Sequence, residues 1–248
     1  MAFLWSNPVK KLEEEKRWSE AAEIHMKQGI DSQSKTNISE SAISYTKAAE
    51  CFRRDGSTDK AVAAWHLAKV AWKKLGPSCH LLAAICSKNI GELESNERAL
   101  EAFKEASVLF GNTNLKESLR CQIRAANLAV VIAKFGEATQ MFEAIARSTP
   151  TPSKVNVRSS LFKAAVCRVL DARYGDLDRV VKHEYEKLDP GFGSSAEFRI
   201  VQGLYLSIDM EDEHGFCDSV DACAKMFGAK ETLVKELLYK CYTELAAF

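Results

Sequence analysis

The side chains best able to do chemistry are scattered. Eight cysteines, at 51, 79, 86, 121, 167, 217, 223 and 241, include no C-x-x-C pair, and no Cys/His set has zinc-finger spacing. They read as reduced thiols that fill a core. His25, His66 and His80 fall inside helical stretches, where a histidine is packed or solvated, and His183-Glu184 sits on a polar helix with no second ligand. Asp209, Glu211, Asp212 and Glu213 have oxygens for a cation, but they lack the glycine and alternating ligands of an EF-hand loop. Gly191-Phe192-Gly193 follows a helix rather than a strand, so it is a turn and not a phosphate cradle. There is no P-loop, no H-E-x-x-H and no G-x-S-x-G. With no nucleophile–base constellation, the expectation is a protein that is not an enzyme and uses no cofactor or metal.

What remains is charge. Arg120 and Arg124 are four apart in a helical stretch and so share one face. The formal net charge is zero, yet residues 1–174 carry 26 Lys+Arg against 19 Asp+Glu, and residues 175–248 carry 8 against 15. A basic body with an acidic end points to two partners of opposite charge. A neutral balance with no aromatic–basic platform argues against nucleic acid.

The elements that position these residues are helices. The chain is 46% hydrophobic over 248 residues, enough for a substantial core, and its few prolines and glycines fall between periodic segments. Asn7-Pro8 starts a helix that breaks near Arg17-Trp18 and resumes from Ser19 to about Gly29; Ser32–Asn37 reads as a polar loop. A helix over Ile38–Arg54 ends at Asp55-Gly56, the next stops at Gly76, and Pro77-Ser78 opens another that runs to about Gly91. Ser95–Phe110 follows, and then a hairpin turning at Lys134-Phe135-Gly136. Helices are also expected over Val155–Asp171, from Tyr174 towards Pro190, and from Ser195 to about Glu213. The end, from Phe216, reads as a closing bundle.

A repeat runs through these helices. Ala21, Ala61, Ala99 and Ala138 each open a second helix, at spacings of 40, 38 and 39 residues. Four residues after each comes a ring: His25, Trp65, Phe103 and Phe142. Leu177 and Val181 continue the register. The expected fold is all-α, a TPR-like right-handed solenoid of antiparallel helix pairs with a C-terminal helical bundle. Its expected parts are an apolar tip (1–7), a helical-hairpin sheet (8–188) and the bundle (189–248). The N-terminal MAFLWSNPVKK is too short for a signal peptide, and no run is long enough to span a bilayer, so the expected location is cytoplasmic. Phe3, Leu4 and Trp5 beside Lys10 and Lys11 suit a weak contact with an anionic membrane surface.

Over Arg158–Arg199 the runs SSLFKAAVCRVLDA and EYEKLDPGFGSSAEFR resemble the C-terminal part of the soluble NSF attachment proteins (SNAPs), where an F-K-A-A-x-C helix precedes a tyrosine–glutamate helix end and P-x-F-x-x-S-x-E. Tyr45–Gly76 and Ser118–Ala146 resemble the family's repeat pairs, and the likeness covers about residues 8–245. It leaves the alpha/beta-like and gamma-like branches open. It implies an adaptor between SNARE complexes (syntaxin-type and partner SNAREs) and the NSF-type AAA ATPase, acting in vesicle traffic, with several copies per SNARE complex. Arg120, Arg124 and Arg158 match basic family positions that contact SNAREs. A further position is Ala196 here, so that contact is either absent or displaced to Arg199; two more are Pro77 and Ala83, for which Lys73 and Lys74 compensate in part. Asp209, Glu211, Asp212 and Glu213 resemble the acidic surface that meets NSF; the family's acidic tail with a near-terminal leucine that stimulates the ATPase is replaced here by Glu244-Leu245-Ala246-Ala247-Phe248, in which Leu245 is the candidate to serve. On this likeness the family's first hairpin and its membrane-attachment loop are expected to lack a counterpart, with Phe3-Leu4-Trp5 as the candidate substitute. A generic TPR-like peptide-binding scaffold is the competing reading, and a SNARE binder that does not recruit NSF is another.

Overall fold

The computed structural model describes residues 8–111, 113–148, 154–171, 177–227 and 232–245, and these are helical with no strand among them. The chain forms two compact units, residues 1–121 and 122–248.

The first unit holds α1 (Pro8–Glu14), α2 (Trp18–Ser34), α3 (Ile38–Asp55), α4 (Thr58–Lys74), a 3-10 turn (Pro77–Cys79) that feeds α5 (His80–Leu93), and α6 (Asn96–Phe110). Helix α7 (Leu115–Val131) crosses the boundary between the units. Successive helices pack in pairs from α2 to α6. Local chemistry sets the ends. Asn37 caps α3 by accepting from the Glu40 N–H at 3.2 Å while its own amide donates to Glu40 Oε2 at 2.9 Å, a reciprocal box that satisfies an otherwise orphaned donor. Gly56 ends α3 at φ 82, in the left-handed region a glycine enters at no steric cost.

The expected alanine–ring register is built as the repeat implies. Ala21, Ala61, Ala99 and Ala138 are each at most 1% exposed, and His25, Trp65, Phe103 and Phe142 are all buried. The small residues let backbones approach and the rings fill the space between neighbouring helices. Two glycines extend the device. A Cβ on Gly29 would lie 2.5 Å from Cε1 of Tyr45, and one on Gly91 would lie 3.0 Å from the Phe103 ring, so each ring rests on bare helix backbone.

The second unit holds α8 (Phe135–Ser148), α9 (Lys154–Leu170), α10 (Leu177–Val180), a π-helical turn (Val181–Tyr185), α11 (Glu186–Leu188), α12 (Ala196–Asp209), α13 (Glu213–Phe227) and α14 (Thr232–Leu245). Helix α9 packs on α8, α12 and α14, which explains the long apolar stretch in its second half: Leu161, Phe162, Ala164, Ala165, Val166, Cys167 and Val169 are all inaccessible. Phe192, after α11, stacks edge-on against Tyr185 with centroids 5.6 Å apart. It is the buried ring of the P-x-F-x-x-S-x-E run.

Two local readings are corrected. Ser32 is not in a loop, because α2 continues to Ser34; Tyr45 donates to Gln33 Oε1 at 2.8 Å and holds the extra turn by a tertiary bond that local propensity does not report. The helix from Ser195 does not run to Glu213. It ends at Asp209; Glu211 adopts φ 54, the Asp212 N–H bonds Ser207 O at 2.8 Å, and Asp212 Oδ1 accepts from the His214 N–H to open α13.

Gly29→Ala tests the ring-on-backbone contact. In an open helix this change gains about 1 kcal/mol. Here the Tyr45 ring is buried and fixed by its hydroxyl, so overpacking prevails and the variant should lose about 1–3 kcal/mol in urea unfolding. An unchanged or raised midpoint would show that α2 and α3 are not in this contact.

Candidate functional site

The expected basic residues are set out by unit. In the first, Lys73 ends α4 with its ammonium 3.0 Å from Glu105 Oε1 on α6, while the nearly buried Lys69 lies 2.6 Å from Glu105 Oε2. Ser87 also donates to this carboxylate, at 3.2 Å. Burial alone would raise the Glu105 carboxyl, but the hydrogen bonds and charges of Lys69 and Lys73 outweigh it and hold the group below the usual carboxylate range. Lys74 is exposed in the last turn of α4, a favourable place for a cation at the negative end of a helix, and makes no ion pair among the described residues. Arg120 is exposed on α7 and pairs with Glu117 one turn back. Lys88 on α5 reaches Glu117 at 2.8 Å, and the bonds from Lys88 and then Arg120 lower that carboxyl.

In the second unit Arg124 is exposed on α7, four residues after Arg120. Arg158 is committed to a forked contact: Nε donates to Asp189 Oδ2 at 2.6 Å and Nη2 to Oδ1 at 2.9 Å, joining α9 to the residue after α11. Asp189 is buried and this bond raises the arginine pKa. Arg199 is exposed on α12 and makes no ion pair among the described residues. Of the acidic set, Asp209, Glu211, Asp212 and Glu213 are all exposed at the α12–α13 turn, and Asp212 doubles as the cap of α13. Leu245 is the last residue of α14, and its side chain lies outside those described; Phe3, Leu4 and Trp5 lie outside the described residues altogether.

The second unit also buries a polar network that sequence reading missed. Glu143 on α8 accepts from Arg168 Nη2 at 2.6 Å and from the Tyr185 hydroxyl at 2.8 Å, with Arg147 at 3.3 Å. Burial first, and then the Glu143 charge, push the Tyr185 hydroxyl up, so it stays a proton donor. The cluster fastens α8, α9 and the π turn, and serves structure. No helix among the described residues is long and apolar enough to cross a membrane.

Six of the eight cysteines, at 51, 86, 121, 167, 223 and 241, are buried. Burial pushes the Cys51 thiol up to about 11 and Cys86 up to about 12, which keeps both as thiols at neutral pH when no metal is bound. Cys51 nevertheless stands with Glu13 and His25 in the one group of potential metal ligands found among the described residues. Separations of 12 and 26 residues hide it from any spacing rule.

The fold is that of a helical-repeat scaffold built from paired helices. The sequence model of the family described as "Soluble NSF attachment protein, SNAP" matches residues 8–231, and the chain belongs to that family. It is 25% identical over 231 residues to the alpha-soluble NSF attachment protein of Vitis vinifera, an alignment covering 88% of this chain and 78% of the relative. It is 26% identical over 152 residues to the probable vesicular-fusion protein sec17 homolog of Schizosaccharomyces pombe, covering 59% of this chain and 52% of that protein. At the level of the family, membership supports an adaptor role in SNARE disassembly.

The Glu105 pairings carry a pH prediction. A carboxyl held below its unfolded value, about 4.3, stabilises the fold above that pH and loses its contribution as pH falls through the folded value. Glu105→Gln should therefore lower the urea midpoint at pH 7, and its deficit against the native chain should close as both are acidified below about pH 4. A deficit that stays constant with pH would show that the pairing with Lys69 and Lys73 contributes nothing.

Proposed function

We propose that this protein is a non-enzymatic adaptor that binds SNARE complexes through basic residues of its helical array and recruits and stimulates an NSF-type ATPase for their disassembly. The observation that carries the reading is the family match over residues 8–231, which includes α7 with Arg120 and Arg124 exposed one turn apart. A SNARE bundle is a long acidic rod, and cations spread along helices suit it better than a single convergent pocket. Lys73, Lys74, Arg158 and Arg199 extend the set. Because Arg120, Lys73 and Arg158 already hold carboxylates, each can give a partner only part of its hydrogen-bonding capacity. Binding then depends on many weak contacts and is salt-sensitive.

In the same reading the exposed carboxylates of Asp209, Glu211, Asp212 and Glu213 face the ATPase, Leu245 acts in its stimulation, and several copies coat one SNARE complex. Phe3, Leu4 and Trp5 give a weak membrane-surface contact that keeps a cytoplasmic protein peripherally attached. So few apolar groups bind a bilayer only marginally, and the SNARE contact supplies the second anchor.

Pull-down of an assembled SNARE complex at low and moderate salt tests the core of this reading. Native protein should bind at low salt and weaken as salt rises, and Arg120→Glu/Arg124→Glu should lose more than about tenfold in affinity, since reversed charges repel an acidic partner. No binding by the native protein at low salt would sink the adaptor reading and leave a generic peptide-binding scaffold. Binding that persists without disassembly when the ATPase and ATP are added would assign a SNARE binder that does not recruit it.

A further inference from the structure

Helices α1, α2 and α3 each bring one metal-ligating side chain to a common point: Glu13, His25 and Cys51. His25 Nε2 lies 3.3 Å from Glu13 Oε1, and Cys51 Sγ lies 3.8 Å from the same oxygen. All three ligand atoms fall within 4.8 Å of one another. A tetrahedral zinc ion bound at ordinary N, O and S distances needs about 3.3 Å between nitrogen and oxygen and about 3.5 Å between sulfur and oxygen. Two edges of the required tetrahedron are therefore in place to within a few tenths of an ångström.

The imidazole is oriented for the task. His25 Nδ1 lies 3.0 Å from Gln28 Oε1, which can only accept. Nε2 faces another acceptor, Glu13 Oε1, so the metal-free ring can donate from either nitrogen; a bound metal would displace the proton on Nε2 to solvent while Nδ1–H stays on Gln28. A hydrogen bond on the far nitrogen is what fixes a metal-binding histidine. His25 and Cys51 are buried while Glu13 is partly exposed, so two ligands are fixed by packing and the third can adjust. A cavity of about 440 Å³, also lined by Lys10, Lys47, Glu50 and Arg54, reaches the cluster and offers an entry path and a fourth position for water.

We propose that Glu13, His25 and Cys51 form a zinc site that cross-links the first three helices. The ligand set selects the ion. A thiolate excludes magnesium and calcium, and the mixed sulfur, nitrogen and oxygen donors suit the borderline-soft Zn2+. As the sulfur–zinc bond forms, the thiol proton leaves to solvent. Thiolate and carboxylate together then neutralise the ion, so Lys10, Lys47 and Arg54 face a centre with no net charge. The helices so joined include the short α1, whose only buried side chain is Val9 and which gains most from a cross-link. The inference is independent of the adaptor reading.

The test is titration of the reduced, metal-free full chain with Co2+, followed by displacement with Zn2+. One equivalent of Co2+ should give a thiolate-to-cobalt charge-transfer band and the intense visible bands of a tetrahedral ion, and Zn2+ should abolish both and raise the melting temperature. Cys51→Ser should lose the charge-transfer band, whereas Cys217→Ser, at an exposed thiol outside the cluster, should keep it. Gln28→Leu should weaken zinc binding about 10–100-fold. Absence of the tetrahedral spectrum in the native chain overturns the proposal whether or not the variants fold, and so does a band that survives in folded Cys51→Ser.

Discussion

Close approach of helices is the constraint on which the rest of this structure depends. Ala21, Ala61, Ala99 and Ala138 are buried and bring nothing larger than a methyl group to the interior, and at Gly29 and Gly91 an aromatic ring lies against bare helix backbone. Interiors pack at crystal-like density, so one added methylene at such a point must displace a ring or a helix. The rings then have one place to go. Trp65 and Phe103 fill the space one turn on, and Tyr45 lies flat against α2. Once rings and small residues have taken the contact faces, the long charged side chains are left outside. At the edge of that packing the largely covered Lys69 and the exposed Lys73 meet Glu105, and Lys88 meets Glu117. The surface chemistry follows from the packing.

The sequence carries the repeat because the repeat is a local pattern: a small residue, then a ring four positions later, returning every 38 to 40 residues. Ends governed by a cap or a glycine, such as Asn37 and Gly56, are legible for the same reason. Ends governed by tertiary contacts are not. The last turn of α2 is held by Tyr45, twelve residues from Gln33, and the π turn at Val181–Tyr185 by a hydroxyl that reaches Glu143, 42 residues away. The site divides similarly. That Arg120 and Arg124 share an exposed helix face can be read from their spacing. That Arg158 is held by a buried aspartate 31 residues on, or that Glu13, His25 and Cys51 meet, cannot.

These pairings change what the basic residues can offer. An exposed ion pair contributes about 0–1 kcal/mol, so breaking the pairs of Arg120 and Lys73 with their internal carboxylates costs the fold little. Arg158 differs, because its departure would strand a buried carboxylate, and uncompensated buried charge is expensive. Arg158 is thus a residue that positions the segment after α11 and can present at most its outer nitrogen.

The acidic turn makes the opposite case. Asp209, Glu211 and Glu213 are exposed and make no ion pair among the described residues, and Glu211 adopts a left-handed backbone conformation that a non-glycine residue enters only at a cost. Four carboxylates within five positions repel one another. Only Asp212 recovers something for the fold, as the cap of α13. A segment that breaks local rules without a compensating internal contact is explained more readily by what it binds than by what it stabilises. The residues that serve the fold are neutralised within it, and the carboxylates that do not are those the proposed adaptor would turn towards a basic ATPase.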